Sequence, residues 1–289
     1  MSLSERAMLV DLTIGCWEGR KKDKDLSARV PSQAKAREGS GSWWTQTVSK
    51  EDLRDVRVAV SRGRETHAKL TLPWNDEGMR ILPAEMYLEY TKTMRELRTE
   101  YEAVVAAFLD RWPSIIEGAR ERLGDLFKAN LFPTAGRLAG RFHWTISFLP
   151  MPDKSDFRID LGDSATATVQ TNIEQQVEAR TQAALRNLWE RLFAVVEKVS
   201  ERLGDPENIF RDSMLSNVVE LCDMLPKLNI TGDARLDKMR RQVLKRLTKH
   251  SPGVLRQDTK ARSDTAAAAK KMLKTMSTYL PAAQEKEGT

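Results

Sequence analysis

YLEYTKTMRELRTEYEAVVAAF, residues 87–108, is the most regular stretch of the chain. Its apolar residues Tyr87, Tyr90, Met94, Leu97, Tyr101, Val104 and Phe108 recur at alternating intervals of three and four, the spacing at which a helix gathers side chains on one face. Lys92, Arg95, Glu96, Arg98 and Glu100 fall outside that seam. The pattern predicts a long helix with a coiled-coil-like stripe. Pro83 suits its start, because the missing N–H falls where no intrahelical partner exists. Pro113, just after Trp112, breaks it and opens a second piece over about 114–129.

Working outward, Leu185, Leu188, Leu192, Val195 and Val199 form a second seam in a helix of about 165–203 that ends at Gly204-Asp-Pro206. Matching periods predict that the two long helices pack on each other. Between them Phe142, Trp144, Ile146 and Phe148 alternate with polar residues, and Phe157, Ile159 and Leu161 alternate again after a turn at Pro150. This is the period of two of a β-hairpin. Val10, Leu12, Ile14 and Cys16 have the same alternation and predict a third strand closed by Trp17. The expected fold class is therefore α+β, mainly α. Long antiparallel coiled-coil-like helices accompany a small antiparallel β-sheet, with strands at about 9–16, 141–149 and 156–161, and a helical C-terminal region.

The intervening segments read more weakly. Residues 18–42 are polar, charged and rich in glycine and serine, the composition of a mobile loop. Ser49 and Asp52 have capping-box spacing ahead of a helix over about 50–62. After Pro206 the chain reads as helix to a break at Pro226–Gly232, then as a helix carrying Leu236, Met239, Val243 and Leu247. Ser251-Pro252-Gly253 stops that helix, and a last one is expected over 266–279. The predicted organisation is a 1–205 helical-hairpin domain, a 206–250 helical extension and a basic, partly flexible arm over 251–289. Glu121-Arg-Leu-Gly-Asp125 recurs as Glu201-Arg-Leu-Gly-Asp205, each at a predicted helix end.

Charge supplies the main functional signal. From Arg235 to Lys274, 13 Lys/Arg face three acids, whereas the whole chain carries only +6. A basic segment on a mildly acidic body is drawn to polyanions. Lys238, Arg241, Lys245 and Lys249 fall on one face of the predicted helix, opposite its apolar residues. Arg256, Lys260 and Arg262 continue the charge. A second cationic run, with Arg20, Lys21, Lys22 and Lys24, precedes the tandem Trp43-Trp44, an arrangement able to stack bases beside a cationic track. Each signal has an ordinary counterpart: a tandem Trp as one core ring and one boundary ring, and a basic helix face that meets solvent or an acidic protein.

No catalytic motif appears. Gly19-Arg-Lys-Lys-Asp-Lys24 lacks the second glycine and the Ser/Thr of a phosphate loop, and His67, His143 and His250 have no ligand spacing around them. No metal or cofactor is expected. Cys16 and Cys222 lie too far apart in unrelated contexts to form a disulfide framework, so free thiols in a reducing compartment are expected. The N-terminal residues lack the apolar run of a signal peptide, and no stretch approaches a membrane span. The expected location is the cytoplasm of a bacterial host.

The element order, with Cys16-Trp17-Glu-Gly-Arg20 closing the first strand, a long helix after Pro83, then Arg141-Phe-His-Trp-Thr-Ile-Ser-Phe-Leu-Pro150 and a second long helix, resembles a phage- and plasmid-borne family of unknown function. Genes of that family often sit beside those of a MoxR-type AAA+ ATPase and a cobaltochelatase-like protein with a von Willebrand A domain. The resemblance covers roughly residues 5–230. It implies a phage setting and an AAA+ ATPase partner, and it carries over no catalytic residues. The resulting expectation is a non-enzymatic, self-associating phage protein that binds nucleic acid, DNA rather than RNA, in phage DNA metabolism. The competing expectation is a structural or adaptor protein that oligomerises or partners the ATPase without touching nucleic acid.

Overall fold

In the computed structural model, which describes residues 3–37, 39–156, 159 and 162–280, the chain runs β1 (Ala7–Ile14), β2 (Arg20–Asp23), α1 (Lys24–Gln33), β3 (Trp43–Gln46), α2 (Arg54–Leu70), β4 (Leu72–Pro73) and β5 (Arg80–Pro83). It continues through α3 (Tyr87–Asp110), α4 (Trp112–Leu123), α5 (Ala135–Ala139), β6 (Trp144–Pro150), α6 (Asp163–Gly204), α7 (Ser213–Leu228), α8 (Ala234–Leu247), α9 (Pro252–Gln257) and α10 (Thr259–Met276). This is the expected mainly helical α+β class. One sheet is ordered β4–β5–β1–β6 and the other is β2–β3. The pairs β1–β5, β4–β5 and β2–β3 are antiparallel. No helix among the described residues is long and apolar enough to cross a membrane.

The chain divides into two compact units. The first takes the residues up to Val10, then Leu70–Tyr87, and the chain from Phe148 onward. Its helical part is built on α6, whose second half buries Ala184, Leu188, Leu192, Val196, Val199 and Leu203. The main partner of α6 is α10, with α7 also against it, and α8 packs on α7 and α10. Arg262, near the start of α10, lies at the end of α6, and Tyr279, just past α10, stacks on Trp189 of α6 with ring centroids 4.6 Å apart. The two helices are therefore antiparallel. Ala261, Thr265, Ala269, Met272 and Met276 form the buried stripe of α10, small residues at its start allowing a close approach. In contrast, residues 163–183 of α6 bury no side chain.

The second unit spans Asp11–Lys69 and Leu88–Ser147. Of the opening seam, Tyr90, Met94, Tyr101 and Phe108 are buried, joined by Val105, whereas Leu97 and Val104 are half-buried and Tyr87 is exposed. Aromatic rings form a connected core. Tyr101 lies 5.5 Å from Trp144, and Phe108 lies 5.9 Å from Trp112 and 5.7 Å from Phe142, centroid to centroid. The Tyr101 hydroxyl donates to the Gly15 carbonyl at 2.7 Å, and burial pushes its pKa up to about 12. His67 is buried as well, its Nδ1 2.8 Å from the Tyr90 hydroxyl.

Several expectations shift. The helix break falls as predicted, with α3 ending at Asp110 and Pro113 in the first turn of α4. Residues 20–33, read as part of a mobile loop, instead form β2 and α1, because Asp23 caps α1 and β3 supplies β2 with a hydrogen-bonding partner. Pro83 ends β5, where it pairs with Ala7, and also caps the 3-10 turn Ala84–Met86 that leads directly into α3. Pro226 sits inside α7 near its C-terminal end. The two long seams belong to different units, and in α6 the buried set drifts from the predicted 185/195 positions to 184 and 196. The segment expected to be a basic, partly flexible arm is, over 252–276, two helices with buried side chains. Of the expected 156–161 strand, residues 157, 158, 160 and 161 lie outside the described residues.

Gly63 shows how tightly the second unit is packed. A Cβ on this residue of α2 would run into the Trp144 ring and come within 2.8 Å of Ile14 Cδ1. Alanine favours a helix interior over glycine by about 1 kcal/mol, yet here it must displace buried groups. Gly63→Ala is expected to lower stability by about 1–3 kcal/mol, read as a fall in the urea midpoint at unchanged slope.

Candidate nucleic-acid interface

Strands β2 (Arg-Lys-Lys-Asp) and β3 (Trp-Trp-Thr-Gln) are short, and their pairing turns them into a platform. Lys22 lies directly across from Trp44, and Arg20 across from Gln46. Directly opposed residues share a face of an antiparallel pair, so Arg20, Lys22 and Trp44 project together. The Arg20 guanidinium carbon sits 5.2 Å from the centroid of the Trp44 ring, while its Nε donates to Glu18 at 2.5 Å. Trp44 remains 50% exposed. Trp43 is paired with Asp23 and alternates to the other face, so the tandem rings diverge and neither is a core ring.

The platform forms one wall of a cleft of about 460 Å³. The opposite wall comes from more than 80 residues further along the chain: Asn130, Leu131, Phe132, Pro133, Thr134, Arg137 and Arg141. Trp17 and Lys21 complete the lining. Arg20, Lys21, Lys22, Arg137 and Arg141 thus converge, and among the described residues no carboxylate lines the cleft, although Glu18 pairs with Arg20. Such a concave surface with convergent cations beside an aromatic ring can hold an anionic, planar ligand.

Three polar contacts fix the walls. Lys128 Nζ lies 3.0 Å from Asp23 and 2.8 Å from Asp25. Lys21 Nζ donates to the Asn130 carbonyl at 2.9 Å. Arg122 donates to the carbonyls of Gln46 and Thr47 at 3.0 and 3.1 Å, tying α4 to the end of β3. Asp23 is 3% exposed. The Leu26 N–H that it caps, and then the Lys128 ammonium, hold its carboxyl below the usual carboxylate range. The two carboxylates in turn raise Lys128.

The other expected site residues separate into two kinds. Lys238, Arg241, Lys245 and Lys249 are exposed along and just beyond α8, opposite buried Leu236, Met239, Val243 and Leu247. The basic face is thus formed as its spacing predicts. Arg241 is partly neutralised by Asp237 at 3.0 Å, whereas Lys238, Lys245 and Lys249 have no ion pair among the described residues. Lys24 at the start of α1 is exposed but does not line the cleft, and Lys260, on α10 of the first unit, is exposed. Arg256 and Arg262 are engaged in contacts within the first unit. Arg256 pairs with Asp212, donates to the Phe210 carbonyl and lies over the Phe210 ring.

Arg262 answers the unsatisfied end of α6. Its guanidinium donates to the carbonyls of Leu203 at 3.3 Å, Arg202 at 2.9 Å, Asp205 at 2.5 Å and Asn208 at 2.8 Å. The final carbonyls of a helix lack intrahelical donors, and a cation there also meets the negative end of the helix dipole. The repeated Glu-Arg-Leu-Gly-Asp sequence ends two helices differently: Gly124 leaves α4 at φ +49°, while α6 is capped by Arg262.

Arg137, Arg141 and Trp17 were not expected as site residues. Arg137 and Arg141 carry no spacing signal toward 20–44, and only the fold brings them there. Among the described residues no three His, Cys, Asp or Glu side chains converge as a metal site. Cys16 and Cys222 are unpaired. Burial raises both thiols, Cys222 to about 11.

Arg262→Ala is expected to cost about 2–3 kcal/mol by stranding several carbonyls. Arg262→Lys should restore little, because an ammonium lacks the guanidinium fork, and Lys260→Ala should be neutral; denaturant midpoints compare the three. Asp23→Asn keeps a cap acceptor and removes the charge. A lowered folded carboxyl stabilises the fold above about pH 4, where the unfolded group is ionised, and that stability is lost as pH falls through the folded value. The gap in melting temperature between parent and Asp23→Asn should therefore be wide at neutral pH and shrink below about pH 4.

Comparison with protein-family models, with curated proteins and with solved structures gave no match to this chain.

Proposed function

We propose that this protein binds nucleic acid without catalysing a reaction, gripping it in the cleft of the second unit and adding long-range attraction from the basic face of α8. The observation that carries the reading is the Trp44 ring, half exposed, beside five convergent cations in a cleft that no carboxylate lines among the described residues. A docking site for an acidic protein needs the cations but not an aromatic plane among them. Nucleic acid uses both: phosphates meet Lys and Arg, and bases present a flat face to an aromatic ring.

The exposed lysines of α8 suit a different part of the task. Lys238 and Lys245 on α8 and Lys249 just beyond it are exposed charges with no ion pair among the described residues. They attract phosphates irrespective of sequence, and such contacts release counterions and weaken with salt. The geometric work belongs to the cleft, where the guanidinium groups of Arg20, Arg137 and Arg141 offer planar donors to phosphate oxygens.

Fluorescence anisotropy with labelled oligonucleotides tests the reading. Binding at low salt should weaken steeply as salt rises, with a log–log slope steeper than the about 3–4 that five cleft cations alone would give on a single strand. Lys238→Glu/Lys245→Glu/Lys249→Glu should flatten that slope, and Lys22→Glu/Arg137→Glu should weaken binding by about tenfold or more. Absence of binding at low salt, or parental affinity in both charge-reversed variants, would defeat the proposal.

A further inference from the structure

The cleft is narrower in what it can accept than a basic surface would be. Its volume of about 460 Å³ is that of a site for one small planar group and its substituents. Trp44 stands across from Lys22 on the strand pair, so the open part of the ring is reached beside an ammonium. Within a duplex, each base has its faces covered by neighbouring bases and its edge occupied by its partner. Nothing planar is then available to Trp44 unless a base leaves the stack. In a single strand that base is free at little cost, and its flanking phosphates remain within reach of cations on both walls.

The two walls also differ in kind. The β2–β3 side offers a ring and two cations on one face, Arg20 and Lys22. The facing segment offers Arg137 and Arg141 together with the short polar side chains of Asn130 and Thr134, groups able to hydrogen-bond the edge of a base. Lys128 and Lys21 hold this segment to β2, so the opening is preorganised before a ligand arrives.

Resting on the nucleic-acid reading and narrowing it, we infer that the cleft receives a single unpaired base, stacked on Trp44, with the neighbouring phosphates of a single strand held by Lys22 and the arginines of the facing wall. The ligand class is single-stranded nucleic acid, in preference to duplex and to free nucleotide.

The experiment measures three probes on the full chain: a labelled thymidine strand of about 20 nucleotides, a blunt duplex of the same length, and thymidine monophosphate as competitor. The parent should bind the strand about tenfold or more tighter than the duplex, and millimolar-range thymidine monophosphate should displace little of it. Trp44→Ala should weaken strand binding by about 5- to 150-fold and leave duplex binding within about twofold. Trp44→Phe, which keeps an aromatic face, should recover most of the loss, and circular dichroism should show all three proteins equally folded. If strand and duplex both bind but Trp44→Ala holds the strand as well as the parent does, the base-binding inference falls while the nucleic-acid reading stands. If thymidine monophosphate displaces the strand at equal nucleotide concentration, the cleft is a free-nucleotide site and the inference is again overturned. If neither polymer binds, both readings fall together.

Discussion

A carboxylate almost wholly withdrawn from water remains charged only if its surroundings replace the lost hydration. Asp23 meets that condition twice, through the N–H of Leu26 at the start of α1 and through the ammonium of Lys128. The consequence reaches well beyond one residue. The same carboxylate ends β2, begins α1 and holds the segment that forms the far wall of the cleft. A polar stretch with almost no apolar period is thereby given a defined shape. Its order rests on electrostatics and hydrogen bonds, with only Leu26 and Pro31 of α1 buried.

Counting charge and locating available charge are separate problems in this molecule. The segment Arg235–Lys274 holds most of the excess, but its residues have divided roles. Arg262 and Arg256 are drawn inward by carbonyls, a carboxylate and the Phe210 ring. Lys238 and Lys245 of α8, and Lys249 just beyond it, stay outside with no ion pair among the described residues. The division follows side-chain chemistry, since a planar guanidinium can satisfy several carbonyls at once, whereas an ammonium is a strongly hydrated point charge. The cleft has fewer cations than the basic segment, yet these converge, and convergence is what a ligand experiences.

The legible parts of the fold were those encoded at short range. The three-four spacing of α3 predicted the burial of Tyr90, Met94, Tyr101 and Phe108, and α8 could be divided into buried and basic faces residue by residue. Pairings over long range were less visible. The partner of α6 is α10, whose buried stripe begins with alanine and threonine and so gives little hydrophobic signal. Strands β4 and β5 are two and four residues long, too short for alternation to show. At the candidate site, Arg20, Lys21, Lys22 and Trp44 could be read from a cationic run beside an aromatic pair. Trp43 could not be separated from its neighbour without the strand register, and Arg137 and Arg141 could not be reached because no local pattern links them to β2.

The antiparallel pairing of α6 with α10 also constrains the order in which the first unit can assemble. To bring these helices together the chain must close a loop that contains α7, α8 and α9, at an entropic cost of about 3–4 kcal/mol. That cost falls before most of the burial along α6 is gained. Contacts so distant in sequence raise the contact order and slow folding relative to a bundle of neighbouring helices. Until α10 arrives, the stripe from Ala184 to Leu203 is an unfinished core surface, and the helical hairpins between can form only provisionally. Helix α10, the last of the described helices of this unit, therefore acts as its closing latch, with Arg262 at one end and Tyr279 at the other.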